Sequence, residues 1–205
     1  MTTLPRFGTT GMTRNKIGFF GGTFNPVHVA HVDIANRFIE KFSLDLLYVI
    51  PNNIPPLKES HGVSGQERMD MLKLAFSGND KVIISDIELK RDGMSYTCDT
   101  VNELKSLHPD SDIYMLMGDD WVDRFDRWKN YTYILENVNL VVAYRGQTDL
   151  TEFLDKIESV SGKRPSLLKN EIMEVSSTEV RKGICKSLLP DKVYEYIIER
   201  GLYLK

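Results

Sequence analysis

The sequence lacks the features that mark several classes of protein. It has only two cysteines, Cys98 and Cys185, and neither belongs to a Cys-x-x-Cys motif, so a reducing cytoplasm is expected rather than a disulfide scaffold. No apolar run approaches the length needed to cross a bilayer, and no membrane association is expected. Acidic residues outnumber basic residues by 29 to 26, which argues against general nucleic-acid binding. An anionic substrate must therefore be met by local positive groups.

The first 15 residues differ in composition from the rest of the 205-residue chain. Residues 1–16 contain two arginines and a lysine but no acidic residue, and they have no apolar stretch of the signal-peptide kind. We predict a disordered N-terminal extension over 1–15, with an organellar transit segment as the alternative. A single domain over 16–205 is the hypothesis, since the length suits one substantial core.

Apolar runs alternate with amphipathic segments along the chain. Short apolar runs predict buried strands over 17–20, 46–50, 82–84, 113–117 and 140–143. A period near 3.6 residues predicts helices over 29–42, 66–76 and 97–107. This alternation is typical of an α/β fold, here a Rossmann-like, doubly wound parallel sheet with helices on both faces. Ligands of such sheets bind beyond the carboxyl ends of the strands, near the point where strand order reverses.

A glycine turn follows the first predicted strand, in the sequence Gly-Gly-Thr-Phe-Asn-Pro-Val-His-Val-Ala-His at 21–31. Glycines let backbone amides approach an anion, and a helix N-terminus adds its dipole and unpaired N–H groups. His28 and His31 lie three residues apart and therefore on one helical face. The window is neither a Walker motif nor a dinucleotide fingerprint. It predicts a phosphate-binding site; the alternatives are a surface histidine pair or two zinc ligands, although no further clustered ligand is present, so no protein metal site is expected.

A second segment, Val-Ser-Ser-Thr-Glu-Val-Arg at 175–181, opens another predicted helix. Ser176 and Glu179 have the spacing of a capping box. Side chains lean toward a helix N-terminus, so Arg181 can turn back toward an anion that the first-turn amides and hydroxyls also face. The alternative is an ordinary capped helix with a solvated arginine.

These two segments resemble the (T/S)-x-G/H-x-x-H and (I/V)-S-S-T-x-x-R signatures of the nucleotidylyltransferase superfamily. Three further segments are similar to motifs of the bacterial nicotinate mononucleotide adenylyltransferases: Pro-Asn-Asn-Ile-Pro-Pro-Leu-Lys at 51–58, Gly-Met-Ser-Tyr-Thr-Cys-Asp-Thr at 93–100, and Met-Gly-Asp-Asp at 117–120 followed by Trp128. The likeness extends to Gly-Leu-Tyr at 201–203. In two departures from the family pattern, Asn25 stands where many relatives have aspartate, and Leu57 replaces the histidine before Lys58.

The resemblance implies that the chain transfers an adenylyl group from ATP to nicotinate mononucleotide and releases pyrophosphate, with Mg²⁺ arriving together with ATP and pyrophosphate. The implied catalytic residues are His28, His31 and Arg181. These three would also bind ATP, together with Gly21, Gly22, Thr23, Phe24, Gly118, Asp120, Ser177 and Thr178. The implied nicotinate mononucleotide site consists of Lys58, Thr97, Trp128 and Lys129.

Within that site, Trp128 would stack on the pyridine ring, while Trp121 is interpreted as a packing residue. Thr97 and the backbone N–H of Lys129 would bind the nicotinate carboxylate. The alternatives are an adenylyltransferase that prefers nicotinamide mononucleotide or phosphopantetheine, and a non-catalytic nucleotide sensor on the same fold. The oligomeric state is left open, a homo-oligomer included.

Overall fold

A computed structural model of the protein describes residues 14–53, 62–146, 149–170 and 175–203. The elements, in chain order, are β1 (Lys16–Gly22), α1 (Val29–Phe42), β2 (Leu46–Pro51), α2 (Gly65–Ala75), β3 (Val82–Ile84), α3 (Thr97–Leu107), β4 (Asp112–Gly118), a 3-10 helix (Asp119–Arg127), α4 (Tyr131–Asn137), β5 (Asn139–Tyr144), α5 (Thr151–Ser161), β6 (Ser166–Lys169), α6 (Ser177–Lys182), a second 3-10 helix (Lys186–Leu188) and α7 (Asp191–Arg200). The predicted N-terminal extension lies outside the described residues, except for Arg14 and Asn15.

The strands form one parallel sheet in the order β3-β2-β1-β4-β5-β6. The five strands predicted from apolar runs correspond to β1 through β5, and the α/β Rossmann-like prediction is confirmed. Strand order reverses between β1 and β4, the pair that flanks the switch point. The carboxyl ends of these two central strands therefore open a crevice at one edge of the sheet.

Helices cover both faces of the sheet, each face with its own apolar cluster. One cluster contains α1, α2 and α7 side chains, and the other contains side chains of α3, α4 and α5. At Gly18, in the middle of β1, an added Cβ atom would lie 2.5 Å from Leu44 Cδ1 and 3.0 Å from Phe38 Cε1. The glycine therefore lets α1 pack closely against the central strand.

The N-terminus of α2 is capped by a reciprocal pair. The backbone N–H of Glu67 donates to Ser64 Oγ (3.2 Å), and the Ser64 N–H donates to Glu67 Oε2 (2.7 Å). This capping box fixes the start of the helix that carries the buried Arg68. In the part of the chain that the structure describes, no helix combines the length and the apolar composition of a membrane span.

Candidate active site

A cavity of about 1030 Å³ lies at the carboxyl edge of the sheet. Its walls come from the ends of β1 and β4, the loop between β1 and α1, the start of α3, the 3-10 helix after β4, the residues after β5 and the start of α6. Segments far apart in sequence thus meet where the strand order reverses, as expected for a ligand site in a doubly wound sheet.

The loop after β1 is held by an aromatic side chain. Phe24 is buried and has a positive φ of 48°, and its ring lies edge-on to His31 with ring centroids 5.0 Å apart. A Cβ atom added at Gly22 would lie 3.0 Å from this ring, whereas one at Gly21 would meet nothing within 4 Å. Gly22 is therefore needed for the close approach of Phe24, which forms part of the cavity wall and supports His31.

The two histidines of the motif stack on each other at the start of α1. Their ring centroids are 3.6 Å apart, and the His28 backbone N–H donates to His31 Nδ1 (3.3 Å). Because Nδ1 of His31 accepts, its neutral ring carries the proton on Nε2 and is a donor there. His28 Nδ1 is buried and has no hydrogen-bond partner among the described residues. Both rings line the cavity and offer polar atoms to a ligand.

Both imidazoles are held in the neutral form. Burial and, to a smaller extent, the positive charge of Arg145 lower the pKa of His28 from 6.5 to about 4. Burial, then the charges of His28 and Arg145, lower the pKa of His31 well below its usual value. At neutral pH the histidines therefore act as neutral hydrogen-bond donors rather than as cations.

We expect His28 in the free protein to remain neutral until the pH falls to about 4. In the unfolded chain this ring is protonated near pH 6.5. Between about pH 6.5 and about pH 4 the unfolded state therefore binds more protons than the folded state, and the free energy of unfolding should decrease as the pH falls through this range. NMR titration of the histidine rings measures the pKa directly. Saturating ATP should raise it, because nearby phosphate anions favour the imidazolium. Titration of His28 near pH 6.5 in the free protein would contradict this assignment.

The second predicted segment lies against the first. Ser177 Oγ donates to the carbonyl oxygen of Pro26 (2.9 Å), and Arg181 Nη1 donates to the carbonyl oxygen of Asn25 (2.5 Å). Arg181 and Ser177 line the cavity with Ser176 and Val175. The two motifs, about 150 residues apart in the chain, thus form one wall of the site.

One expectation for this segment, the capping box, needs correction. Ser176 Oγ accepts from the Glu179 N–H (3.1 Å), but the Glu179 carboxylate pairs with Lys182 Nζ (2.7 Å), so only half of the predicted capping box forms. Thr178 is exposed and is not among the cavity-lining residues; its hydroxyl accepts from Arg181 Nη2 (3.1 Å). Thr178 therefore braces the guanidinium, and its contact with ATP stays a prediction.

The end of β4 brings carboxylates and an arginine to the cavity. A Cβ atom added at Gly118 would lie 2.4 Å from Asp120 Oδ1, so the glycine lets this carboxylate fold back over the strand end. Burial raises the pKa of Asp120. Asp119 Oδ2 accepts the backbone N–H of Arg145 (3.0 Å), which holds the residues after β5 against the β4 end. Arg145 was not predicted, although its place directly after a strand was a signal for it.

Three of the four predicted acceptor residues line the same cavity. Thr97 begins α3 and lines the cavity with Trp128 and Lys129. The Lys129 ammonium lies 4.3 Å from the centre of the Tyr96 ring and 3.7 Å from Asp99 Oδ2. Lys58, the fourth predicted residue, lies outside the described residues.

Both tryptophans line the cavity, although only Trp128 was predicted to do so. Trp128 packs against the buried Phe125, with centroids 5.2 Å apart, and presents the rest of its ring to the cavity. Trp121, expected to be a packing residue, is 41% exposed and also lines the cavity, with its ring edge-on to Trp128 at 5.6 Å. Trp121 lies in the first turn of the 3-10 helix after β4, and polar neighbours in sequence do not indicate which side of such a tight helix is buried.

Among the described residues, four cationic side chains line the cavity and supply the positive charge that the acidic chain as a whole lacks: Arg127, Lys129, Arg145 and Arg181. Glu88, buried beneath the start of α3, is a further lining residue that was not predicted. Among the residues that the structure describes, no three His, Cys, Asp or Glu side chains cluster in a way that could hold a metal ion.

The structure brings most of the predicted site residues into this one cavity: Gly21, Gly22, Thr23, Phe24, His28, His31, Thr97, Gly118, Asp120, Trp128, Lys129, Ser177 and Arg181.

Residues 19–183 match the family model described as cytidylyltransferase-like. A protein of Bacillus licheniformis named "probable nicotinate-nucleotide adenylyltransferase" is 37% identical over 92% of this chain and 98% of its own length. One of the same name from Dictyoglomus thermophilum is 34% identical over 92% of this chain and all of its own length.

Solved structures share the fold. The nicotinic acid mononucleotide adenylyltransferase of Plasmodium falciparum complexed with NaAD matches with a TM-score of 0.77 and 20% identity, covering 93% of this chain and 98% of that chain. The same enzyme complexed with APC matches with a TM-score of 0.75 and 22% identity over the same shares. At these identities the likeness concerns the fold.

Proposed function

The chain belongs to the nicotinate-nucleotide adenylyltransferase family of cytidylyltransferase-like proteins, and from that premise we propose that it transfers the adenylyl group of ATP to nicotinate mononucleotide. The products are nicotinate adenine dinucleotide and pyrophosphate, a step of NAD biosynthesis. One observation carries the proposal for this chain. The histidine motif and the Ser-Ser-Thr-x-x-Arg segment meet through the Ser177–Pro26 hydrogen bond in a cavity whose other wall is aromatic and cationic.

The phosphates of ATP would lie against the loop after β1. His31 Nε2–H and the ring of His28 would donate to them, and Gly21, Gly22 and Thr23 would bring backbone N–H groups close. Arg181 and Arg145 would neutralise phosphate charge, with Ser177 supplying a hydroxyl. Gly118 and Asp120, at the end of β4, would lie along the adenosine, where the carboxylate can accept from ribose hydroxyls.

The reaction itself requires no covalent intermediate with the protein. A phosphate oxygen of nicotinate mononucleotide forms a bond to the α-phosphorus of ATP, while the bond from that phosphorus to the bridging oxygen breaks and pyrophosphate leaves with the electron pair. The phosphate nucleophile is already anionic, so no general base is needed. The protein contributes alignment of the two substrates and stabilisation of charge on the transferring group.

Mg²⁺ would enter as part of the substrate, bound to the phosphates of ATP and leaving with pyrophosphate. It prefers phosphate and water oxygens to an all-protein cage. The free thiols, buried at Cys98 and exposed at Cys185, support a cytoplasmic enzyme.

We expect nicotinate mononucleotide to have a kcat/KM at least about tenfold above that of nicotinamide mononucleotide. A carboxylate accepts from both the Thr97 hydroxyl and the Lys129 N–H, whereas a carboxamide turns its NH₂ toward one of them and leaves a donor unpaired, at a cost of about 1 to 3 kcal/mol. Pyrophosphate release from ATP, measured with each mononucleotide and with phosphopantetheine, tests this preference.

The Trp128→Ala variant provides the control for that comparison. Stacking on a pyridine ring does not distinguish an acid from an amide, so this variant should lose efficiency with both mononucleotides by a similar factor. Equal efficiency of the unmodified protein with the two mononucleotides would contradict the assigned preference. Turnover with phosphopantetheine alone would contradict the proposed function, and ATP binding without turnover would favour the nucleotide sensor.

A further inference from the structure

The C-terminal Gly-Leu-Tyr segment, which the proposed reaction does not use, reaches back to the loop after β1. The chain turns at Gly201 after α7, and the Tyr203 hydroxyl donates to Asn25 Oδ1. Asn25 is 3% exposed, so this contact lies inside the protein. Burial raises the pKa of Tyr203, and its hydroxyl therefore stays protonated and able to donate.

A second side chain, Arg68 of α2, binds the backbone of the same loop. Arg68 is 1% exposed, and its Nη1 donates to the carbonyl oxygens of Thr23 (2.8 Å) and Asn52 (2.9 Å). No carboxylate among the described residues forms an ion pair with it, and its Nε is buried without a hydrogen-bond partner. A buried guanidinium without a carboxylate partner is costly, and here it is stabilised by the two backbone carbonyls that it binds.

The effect of these contacts is to fix the backbone of the phosphate-binding loop. Three side chains donate hydrogen bonds to backbone carbonyls of this loop. Arg68 donates to the carbonyl of Thr23, Arg181 to that of Asn25, and Ser177 to that of Pro26. In a trans peptide the carbonyl and the following N–H point in opposite directions, so the bound carbonyls of Thr23 and Pro26 fix the N–H groups of Phe24 and Val27. The Tyr203 hydroxyl holds the side chain of Asn25 in the same loop.

Arg68 also connects this loop to the acceptor side. Arg68 binds the carbonyl of Asn52, and the next residue, Asn53, donates its backbone N–H to Ser95 Oγ (3.2 Å). Ser95 precedes the predicted acceptor residue Thr97 by two positions. We propose that Tyr203 and Arg68 are positioning residues, Tyr203 for the ATP phosphates and Arg68 for the alignment of ATP with the acceptor. This inference rests on the proposed function.

The Tyr203→Phe variant tests the first half, because it removes one hydroxyl and keeps the ring. We expect kcat/KM for ATP to fall about tenfold, the effect of one orphaned buried polar group, with the KM for nicotinate mononucleotide and the melting temperature close to those of the control. The control is Tyr196→Phe, which removes a hydroxyl from α7 that donates to Asp70 Oδ2 (3.4 Å), away from the cavity. Similar kinetics for the two variants would overturn the assignment, as would a loss of activity that only follows a loss of stability.

The Arg68→Lys variant tests the second half. Lysine keeps the charge but cannot reproduce the planar fork, so we expect kcat to fall and the KM for nicotinate mononucleotide to rise in the same variant. An unchanged acceptor KM would overturn the role of Arg68 in alignment. If the unmodified protein forms no dinucleotide at all, the proposed function fails. Calorimetric ATP affinity then decides the role of Tyr203: about tenfold weaker binding by Tyr203→Phe than by Tyr196→Phe supports it, and equal binding overturns it.

Discussion

The His31→Ala variant should lower kcat by about 10² to 10³, the loss that follows removal of one donor to a transition-state charge. The ring presents Nε2–H because its Nδ1 accepts from the His28 backbone, and alanine removes both contacts. His28→Ala should have an effect of similar size. Since the two rings stack, the double variant should lose much less than the product of the single losses. Steady-state pyrophosphate release measures all three.

His108→Ala is the matched control for this prediction. His108 Nε2 bonds to the Tyr48 hydroxyl (2.8 Å) at the far end of α3 and does not line the cavity. Its loss should change stability more than turnover. Near-normal turnover in both His28→Ala and His31→Ala would contradict their assignment to the phosphates. Collapse of the far-ultraviolet dichroism in these variants would indicate instead that the rings serve the core.

The Arg181→Met variant should lower kcat/KM for ATP by about 10². Methionine keeps much of the volume and removes the guanidinium, which combines a charge facing the cavity with an anchor on the Asn25 carbonyl. The neighbouring Lys182→Met removes an equal charge, one that is paired with Glu179 at the surface, and should change turnover by less than twofold.

Comparison of these two variants separates local contact from general charge. If both lose activity equally, and high salt reproduces the loss in the unmodified protein, Arg181 acts only through the overall field. Thr178→Ala should have an intermediate effect of a few-fold, because the hydroxyl contacts the guanidinium and not the cavity.

The central strands and the two main motifs were predictable because their signals are local. A buried parallel strand such as β2 is apolar throughout, and the histidine motif places its turn, its cap and both rings within eleven residues. By contrast, β6 has four residues at the sheet edge and α4 has seven, too few for a clear period. These elements were therefore not predicted.

The rest of the site depends on contacts that have no local signature. Arg145 reaches the cavity because β5 pairs with β4, and Tyr203 reaches Asn25 across 178 positions. Thr178 belongs to the recognised Ser-Ser-Thr-x-x-Arg pattern, but that pattern does not indicate which way its side chain points. Successive residues of an α-helix point about 100° apart, so Ser177 can face the cavity while its neighbour faces solvent.

The central claim is that this cavity joins the α-phosphorus of ATP to the phosphate of nicotinate mononucleotide. The most direct measurement uses ATP labelled at the α-phosphorus, with chromatographic separation of all products. We expect the label to appear in nicotinate adenine dinucleotide with an equal amount of unlabelled pyrophosphate, and the rate to fall about 10² to 10³ in His31→Ala. Label found in AMP alone, or transferred only to a different acceptor, would contradict the account.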